Sequence, residues 1–284
     1  MRHLLLLFVV ACTCEAREPS SSFDGPYVEE RARFETNLVR RGPSPQEYDA
    51  LASSEGIELV RYRSGAHEHQ ALLANHDPTV KRPALLYLHG GFALGEADVR
   101  DCQPFVDAGW VVFAPSFRGE NGNPGFHELY FGEVDDARAA LEHLRALPGV
   151  IPEAIVVFGH SAGGVISSLL ALYPDLDVLD TGSAGGLYDT ALFGWMPIPF
   201  EDTPREREIR LALPHLRELR NRHFACFGAD DEGVRIGVST ARAAASLDPI
   251  PIEFRSMPGD HFDSLRPCMR AFLRRVSLRV ASPR

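Results

Sequence analysis

A serine in a glycine-rich turn is the residue of this sequence best suited to chemistry. It lies in Gly159-His160-Ser161-Ala162-Gly163, directly after the apolar residues 155–158 and before a helix-like apolar stretch. A Gly-x-Ser-x-Gly turn between a strand and a helix strains the serine backbone and lifts its hydroxyl above the sheet. Glycines are needed there because larger side chains would meet neighbouring backbone. The pattern therefore predicts that Ser161 is a nucleophile.

A serine nucleophile needs a base and a carboxylate that orients the base. His261 follows a predicted strand at 252–255, and Asp230, Asp231 and Glu232 follow a predicted strand at 224–227. Sites in open parallel sheets form at the carboxyl ends of strands, so both groups are well placed. The residues alone leave the identity of the acid open, because only one of the three adjacent carboxylates can face the imidazole.

Alternating apolar and amphipathic segments predict the scaffold that positions these groups. A strand followed by a helix, repeated, predicts an α/β fold with a mainly parallel central sheet and helices on both faces. Residues 57–62 and 70–74, on either side of a turn at Ser64-Gly65, predict an N-terminal hairpin at the sheet edge. The predicted strands are 84–88, 110–114, 155–158, 224–227 and 252–255, and the predicted helices are 99–108, 133–147, 165–172, 239–247 and 264–276.

The chain divides into three parts. Residues 1–16 form a signal region, residues 17–56 a linker and helical cover, and residues 57–284 a catalytic domain with a short cap near 187–222. Short helices are expected near 28–39 and 46–52, on either side of Pro43-Ser44-Pro45. In the cap, an aromatic and proline-rich stretch that includes Trp195 either lines a pocket or only packs on the core. Residues 201–210, where Arg and Glu alternate, predict a solvated helix start.

The N-terminus predicts export. Arg2 and His3 precede the apolar residues 4–11, which are too few to span a bilayer. Val9-Val10-Ala11-Cys12 resembles the bacterial lipoprotein signal, in which Cys12 would be lipidated after cleavage. An ordinary secretory signal cleaved after Ala16 and an apolar start that is not removed remain open. The signal interpretations predict the bacterial cell envelope, or else the periplasm or the medium, with membrane association only through a lipid anchor.

Composition excludes several classes of function. With 29 Lys+Arg against 39 Asp+Glu, the formal net charge is −10, and no basic stripe is present, so no nucleic acid partner is expected. The sequence contains no dinucleotide-binding, phosphate-loop or metal motif, so neither a cofactor nor a metal is expected. Downstream of the signal region, Cys102, Cys226 and Cys268 allow at most one disulfide. Nothing in the sequence specifies the oligomeric state.

From residue 57 to residue 275 the chain resembles an α/β-hydrolase, specifically the catalytic domain of the prolyl oligopeptidase (S9) serine peptidase family. The patches that carry the resemblance are His89-Gly90-Gly91, Phe117-Arg118-Gly119 with Gly122 and Gly125, Gly132-Glu133-Val134-Asp135-Asp136, the turn at Ser161 with its second glycine Gly164, and Asp260-His261-Phe262. The acid loop of that family reads Gly-x-x-Asp-x-x-Val, which on Gly228 and Val234 implies Asp231 as the acid.

The resemblance implies a serine hydrolase that cleaves an ester or amide bond of a small molecule or peptide. Ser161, Asp231 and His261 would form the triad, and an acyl-enzyme would form and then hydrolyse. The oxyanion would be held by the Ala162 backbone N–H and by one N–H from Gly91-Phe92, in a loop that His89 orients. Small esterases share this domain, so peptidase activity does not follow from the resemblance. The alternative is a non-catalytic binding protein on the same scaffold.

Overall fold

An eight-stranded sheet forms the centre of the protein. The computed structural model describes residues 21–194 and 196–280. The strand order is β1-β2-β4-β3-β5-β6-β7-β8. The strands are β1 Ile57–Ser64, β2 His67–Ala74, β3 Arg82–Leu88, β4 Val111–Pro115, β5 Val150–His160, β6 Asp180–Ala184, β7 His223–Gly228 and β8 Ile252–Met257. The predicted signal region with Cys12, and Trp195 in the cap, lie outside the described residues.

The edge hairpin and the parallel sheet are both confirmed. Strand β1 pairs antiparallel with β2, which pairs antiparallel with β4. All further pairs, from β4 across to β8, are parallel. The carboxyl ends of β3, β5, β6, β7 and β8 therefore meet at one edge of the sheet, which is where chemistry was expected.

Helices cover both faces of this sheet. One core contains residues of α4, α5 and α7, and the other contains residues of α2, α3 and α8. Along β3, Leu86 and Leu88 face the first core while Leu85 and Tyr87 face the second, because side chains alternate along a strand. The helices are α1 Tyr27–Arg33, α2 Glu96–Asp101, α3 Gln103–Asp107, α4 Gly132–Ala146, α5 Ala162–Leu170, α6 Pro204–Glu208, α7 Glu232–Leu247 and α8 Leu265–Val280.

Strand β6 is a central strand that the sequence analysis missed. Its residues, Asp180 to Ala184, are small or polar, and all are buried. A Cβ added at Gly182 would lie 3.0 Å from ring carbons of both Phe158 and Phe272, so only a small residue fits there. Apolar runs identify buried strands, and this strand has none because its neighbours fill the space that larger side chains would occupy.

Several other expectations were wrong in detail. Residues 46–52 form no helix, α1 ends at Arg33, and the helix expected at 99–108 is two short helices. The cap consists of α6 and two short 3₁₀ helices, Thr190–Gly194 and Leu213–Glu218.

The expected solvated helix start at 201–210 is partly buried. Arg210 is fully buried, with its guanidinium 3.9 Å from the centre of the Phe200 ring. Its charge pairs with Glu206, and it also donates to the Thr36 hydroxyl and the Glu128 carbonyl. A buried cation needs partners of this kind, which sequence alternation alone does not reveal.

Among the cysteines that the structure describes, one pair forms a disulfide. Cys226 in β7 is bonded to Cys268 in α8, and the buried Cys102 is a free thiol. Since β7 leads into the acid loop and α8 follows His261, the bridge joins the two elements that carry the predicted acid and base. Within 21–194 and 196–280, no helix is both long and apolar enough to cross a bilayer.

Candidate active site

Ser161 lies on a strained turn between β5 and α5. Its backbone has φ 52° and ψ −115°, a left-handed conformation that a non-glycine residue adopts only under local constraint. A Cβ at Gly159 would lie 2.0 Å from the Gly163 carbonyl oxygen, and one at Gly163 would lie 2.0 Å from the Leu88 carbonyl oxygen. Both glycines are therefore required by close backbone approach, in agreement with the sequence-based argument.

The predicted base and acid are in contact. His261 Nδ1 lies 2.6 Å from Asp231 Oδ2, and the two side chains are 21% and 5% exposed. The second oxygen of Asp231 accepts the Gly233 N–H and so caps the start of α7. Asp230 and Glu232 point to solvent. Of the three adjacent carboxylates, Asp231 is the one that faces the imidazole.

The carboxyl end of β6 brings the nucleophile and the imidazole together. The Ser161 N–H donates to the Ala184 carbonyl at 2.9 Å. The next residue, Gly185, has φ +66°, and a Cβ there would lie 2.8 Å from His261 Cε1. A glycine at this position therefore leaves the space that the imidazole occupies.

Tyr188, just beyond β6, is a site residue that the sequence analysis missed. Burial raises the pKa of its phenol, and the nearby Ser161 side chain partly offsets that rise. Among the described residues, His261 is hydrogen-bonded to Asp231 and not to Ser161. Catalytic hydrogen bonds are often long before substrate binds, so this arrangement is compatible with proton transfer to His261. Recognition of β6 would have indicated that the loop after it reaches the site.

Two of the three predicted oxyanion donors have no acceptor among the described residues. Within the described part of the chain, neither the Ala162 N–H nor the Gly91 N–H is hydrogen-bonded. The Phe92 N–H, in contrast, donates to Gln46 Oε1 at 2.8 Å. The Gly163 N–H donates to the His89 carbonyl at 3.0 Å, which holds the loop of residues 89–92, here called the oxyanion loop, against the start of α5.

His89, the first residue of the oxyanion loop, is held by contacts with Glu120 and Phe117. Its Nε2 lies 3.0 Å from Glu120 Oε2, and its ring stacks on Phe117 at 5.4 Å between centroids. Burial alone would lower the pKa of His89, but the Glu120 carboxylate raises it to about 9. The raised pKa favours the protonated imidazole, which its carboxylate partner holds in place.

His160 packs beside the predicted base. Its Nε2 lies 3.1 Å from the His261 carbonyl oxygen, and the two rings are 5.0 Å apart. Burial lowers the pKa of His160 to about 4, so its ring is neutral near pH 7. A neutral His160 ring places no positive charge beside His261, so it does not oppose the imidazolium that Asp231 would stabilise.

Glu133 is a buried carboxyl group behind the oxyanion loop. Its Oε1 accepts the N–H groups of Glu128 and Leu129, and its Oε2 has no hydrogen-bond partner in the described part of the chain. Burial, together with the nearby Glu128 carboxylate, raises the pKa of Glu133 to about 8. Glu133 lines a small cavity beside Phe92 and His127.

Elsewhere in the same helix, Asp136 forms an ion pair with Arg118 at 2.9 Å. Among residues 21–194 and 196–280, no three His, Cys, Asp or Glu side chains are grouped to hold a metal ion.

Comparison with known proteins identifies the family. The model of the alpha/beta hydrolase family matches residues 85–277, which is more than half of the chain. The chain belongs to this family. The matched region runs from β3 into α8 and so contains Ser161, Asp231 and His261.

Similar proteins include peptidases. The chain is 30% identical over 154 residues to the uncharacterized peptidase YtmA of Bacillus subtilis, an alignment that covers 54% of this chain and 58% of the relative. The fold is similar to that of a puromycin-hydrolyzing peptidase of Mycobacterium tuberculosis, with a TM-score of 0.64, 17% identity, and 78% and 39% of the two chains covered. It is also similar to a prolyl endopeptidase structure, with a TM-score of 0.62, 19% identity, and 78% and 39% covered.

These similarities confirm the resemblance to the prolyl oligopeptidase family at the level of the fold. The chain spans less than two thirds of the length of each of these three relatives.

Proposed function

We propose that the protein is a serine hydrolase that cleaves an ester or amide bond through Ser161, His261 and Asp231. The observation that carries the proposal is the contact of 2.6 Å between His261 Nδ1 and Asp231 Oδ2 beside a serine on a strained turn. A side chain held in that backbone conformation stores strain that packing must offset, and such strain is concentrated at functional sites.

The geometry supports a two-step acyl transfer. His261 accepts the Ser161 proton at Nε2 as the hydroxyl oxygen attacks the carbonyl carbon, while Asp231 keeps the proton on Nδ1 and stabilises the imidazolium. The oxyanion is bound by the Ala162 N–H and by an N–H of the oxyanion loop. Each such donor contributes about 2.7–4 kcal/mol of transition-state stabilisation. His261 then protonates the leaving group, and water hydrolyses the acyl-enzyme by the same route.

The test is the turnover of two substrate classes by the protein and by Ser161→Ala. Short-chain p-nitrophenyl esters report esterase activity, and aminoacyl and peptidyl p-nitroanilides report peptidase activity. We expect turnover of at least one class and its loss in the variant, together with labelling of Ser161 by a fluorophosphonate. If neither class is turned over and Ser161 does not react, the alternative of a non-catalytic binding protein on this scaffold holds instead.

We also propose that the protein is exported and anchored through a lipid on Cys12. The Cys226–Cys268 disulfide supports export, because such bridges persist in oxidising compartments outside the cytoplasm. The lipoprotein-like sequence before Cys12 supports the anchor. Mass spectrometry of the mature N-terminus is expected to find acylated Cys12 as the first residue, whereas a first residue after Ala16 would indicate a secreted protein without an anchor.

A further inference from the structure

The oxyanion loop is bound by a segment that lies upstream of the family match. The Phe92 N–H donates to Gln46 Oε1 at 2.8 Å, and the Ser44 hydroxyl donates to the Phe92 carbonyl oxygen. Gln46 also packs against Gly91, where an added Cβ would lie 2.6 Å from Gln46 Oε1. Both polar backbone groups of Phe92 are therefore held by two side chains of this segment.

The segment itself is anchored at both ends. At its carboxyl end, the Ser44 N–H donates to the Gly119 carbonyl at 2.9 Å and the Gly42 carbonyl accepts the His127 N–H at 3.0 Å. At its amino end, backbone hydrogen bonds join residues 37 and 40 to residues 201 and 199 of the cap. It therefore connects the cap to the oxyanion loop. We call it the N-terminal segment (residues 37–46).

We propose that Gln46 and Ser44 are positioning residues, which hold the oxyanion loop so that the Gly91 N–H, and not the Phe92 N–H, binds the oxyanion together with Ala162. This inference rests on the proposed function and names the second donor that the sequence left open. The hydrogen bonds occupy Phe92 and leave the Gly91 N–H without an acceptor in the described part of the chain.

The oxyanion loop needs such support because it contains two glycines. Gly91 has φ +68°, and Gly90 before it carries no side chain that would restrict rotation of the peptide. Oxyanion donors must lie about 2.7–3.1 Å from the oxyanion, and a misplacement of about 1 Å can cost on the order of 100-fold in rate. Anchoring both polar groups of Phe92 restricts the movement of the Gly91 N–H.

An amide suits this position better than a carboxylate. Gln46 Oε1 accepts the Phe92 N–H without placing a net charge beside the oxyanion. A carboxylate in its place would accept the same hydrogen bond but repel the negative charge that develops on the substrate. The two effects are separable by substitution, because one depends on the acceptor and the other on ionisation.

The first test is Gln46→Met, which keeps the length of the side chain and removes the acceptor. We expect kcat on the best substrate of the two classes to fall by about tenfold with KM within twofold, since the donor acts on the transition state more than on the ground state. Glu47→Met, at the neighbouring exposed position, is the matched control and is expected to leave both constants unchanged.

The second test is Gln46→Glu, measured from pH 4 to pH 8 as the ratio of its kcat to that of the unsubstituted protein. Effects of pH that are common to the two proteins cancel in this ratio. We expect the highest ratio at pH 4, close to the glutamate pKa of roughly 4.3, and a fall as pH rises above it. A loss of structure alone would change the ratio at every pH and lower the unfolding temperature.

The two proposals fail in different ways. If the unsubstituted protein neither turns over substrate nor reacts with a fluorophosphonate at Ser161, the proposed function is wrong. If it does both while Gln46→Met is unchanged or faster, only the positioning role is overturned, and a faster variant would mean that Gln46 obstructs the Phe92 N–H. A kcat ratio for Gln46→Glu that does not change with pH would also contradict the positioning role.

Discussion

At the residue scale, the choice between adjacent carboxylates decides the orientation of the base. Asp231 is buried and faces His261, whereas Asp230 points to solvent one residue earlier. The two side chains have the same chemistry, so the difference arises from where the turn after β7 places each of them. The Gly228 position sets this turn, because a Cβ there would lie 2.3 Å from the Asp260 carbonyl oxygen.

We therefore expect Asp231→Asn to lower kcat/KM on the order of 10⁴-fold, because the amide no longer holds the imidazole in the required tautomer. Asp230→Asn, the matched control, is expected to change it by less than about twofold, as surface substitutions usually do. Steady-state kinetics on one substrate, with circular dichroism to verify folding, checks both. Equal losses in the two variants would contradict the geometry of the acid loop.

At the element scale, the disulfide connects the strand and the helix that flank the candidate site. It joins Cys226 in β7 to Cys268 in α8 across a sequence separation of 42 residues. Asp231 lies just beyond the first of these elements and His261 just before the second, so the bridge limits the separation of the acid and the base in partly unfolded states.

Removal of the bridge by the double substitution Cys226→Ala and Cys268→Ala is expected to lower the free energy of unfolding by about 4 kcal/mol. This figure is the loop-closure entropy for a loop of this length. Denaturant unfolding with and without a thiol reductant measures it. Cys102→Ala is the control: its stability should still fall on reduction, whereas that of the double variant should not. A reductant effect of the same size in the double variant would exclude this bridge as the cause.

At the scale of the whole molecule, buried ionisable groups couple stability to pH. Burial raises the pKa of Glu133 from 4.5 to about 8, so the folded protein retains a proton that the unfolded chain releases. The stabilisation from this proton is complete below about pH 4.5 and is lost as pH rises through about 8. Stability from this group therefore falls with rising pH across that window.

Glu133→Gln removes the titration and retains the Oε1 acceptor for the Glu128 and Leu129 N–H groups. We expect the difference in unfolding free energy between the unsubstituted protein and this variant to decrease from pH 5 to pH 8, measured by urea unfolding at several pH values. Glu142→Gln, exposed on the same helix, should show no such trend. A difference that is constant with pH would show that Glu133 does not titrate in this range.

The sequence by itself determined most of the fold and the nucleophile. Apolar runs predicted seven of the eight strands, and the local pattern around Ser161 predicted its turn, because both signals depend on residues that are adjacent in the chain. Strand β6 was not predicted because it has no apolar run. Its small residue Gly182 fits against Phe158 and Phe272, which lie far away in sequence.

Only the tertiary structure decided how distant residues meet. The contact of Asp231 with His261, the approach of Tyr188 to Ser161 and the hydrogen bond of Gln46 with Phe92 each join different segments of the chain. The family motif implied Asp231 as the acid, but no periodicity or spacing predicts the other two contacts, since they depend on how the end of β6 and the N-terminal segment pack over one edge of the sheet. The residue types predicted the chemistry of the candidate site, whereas the packing of distant segments determined its geometry.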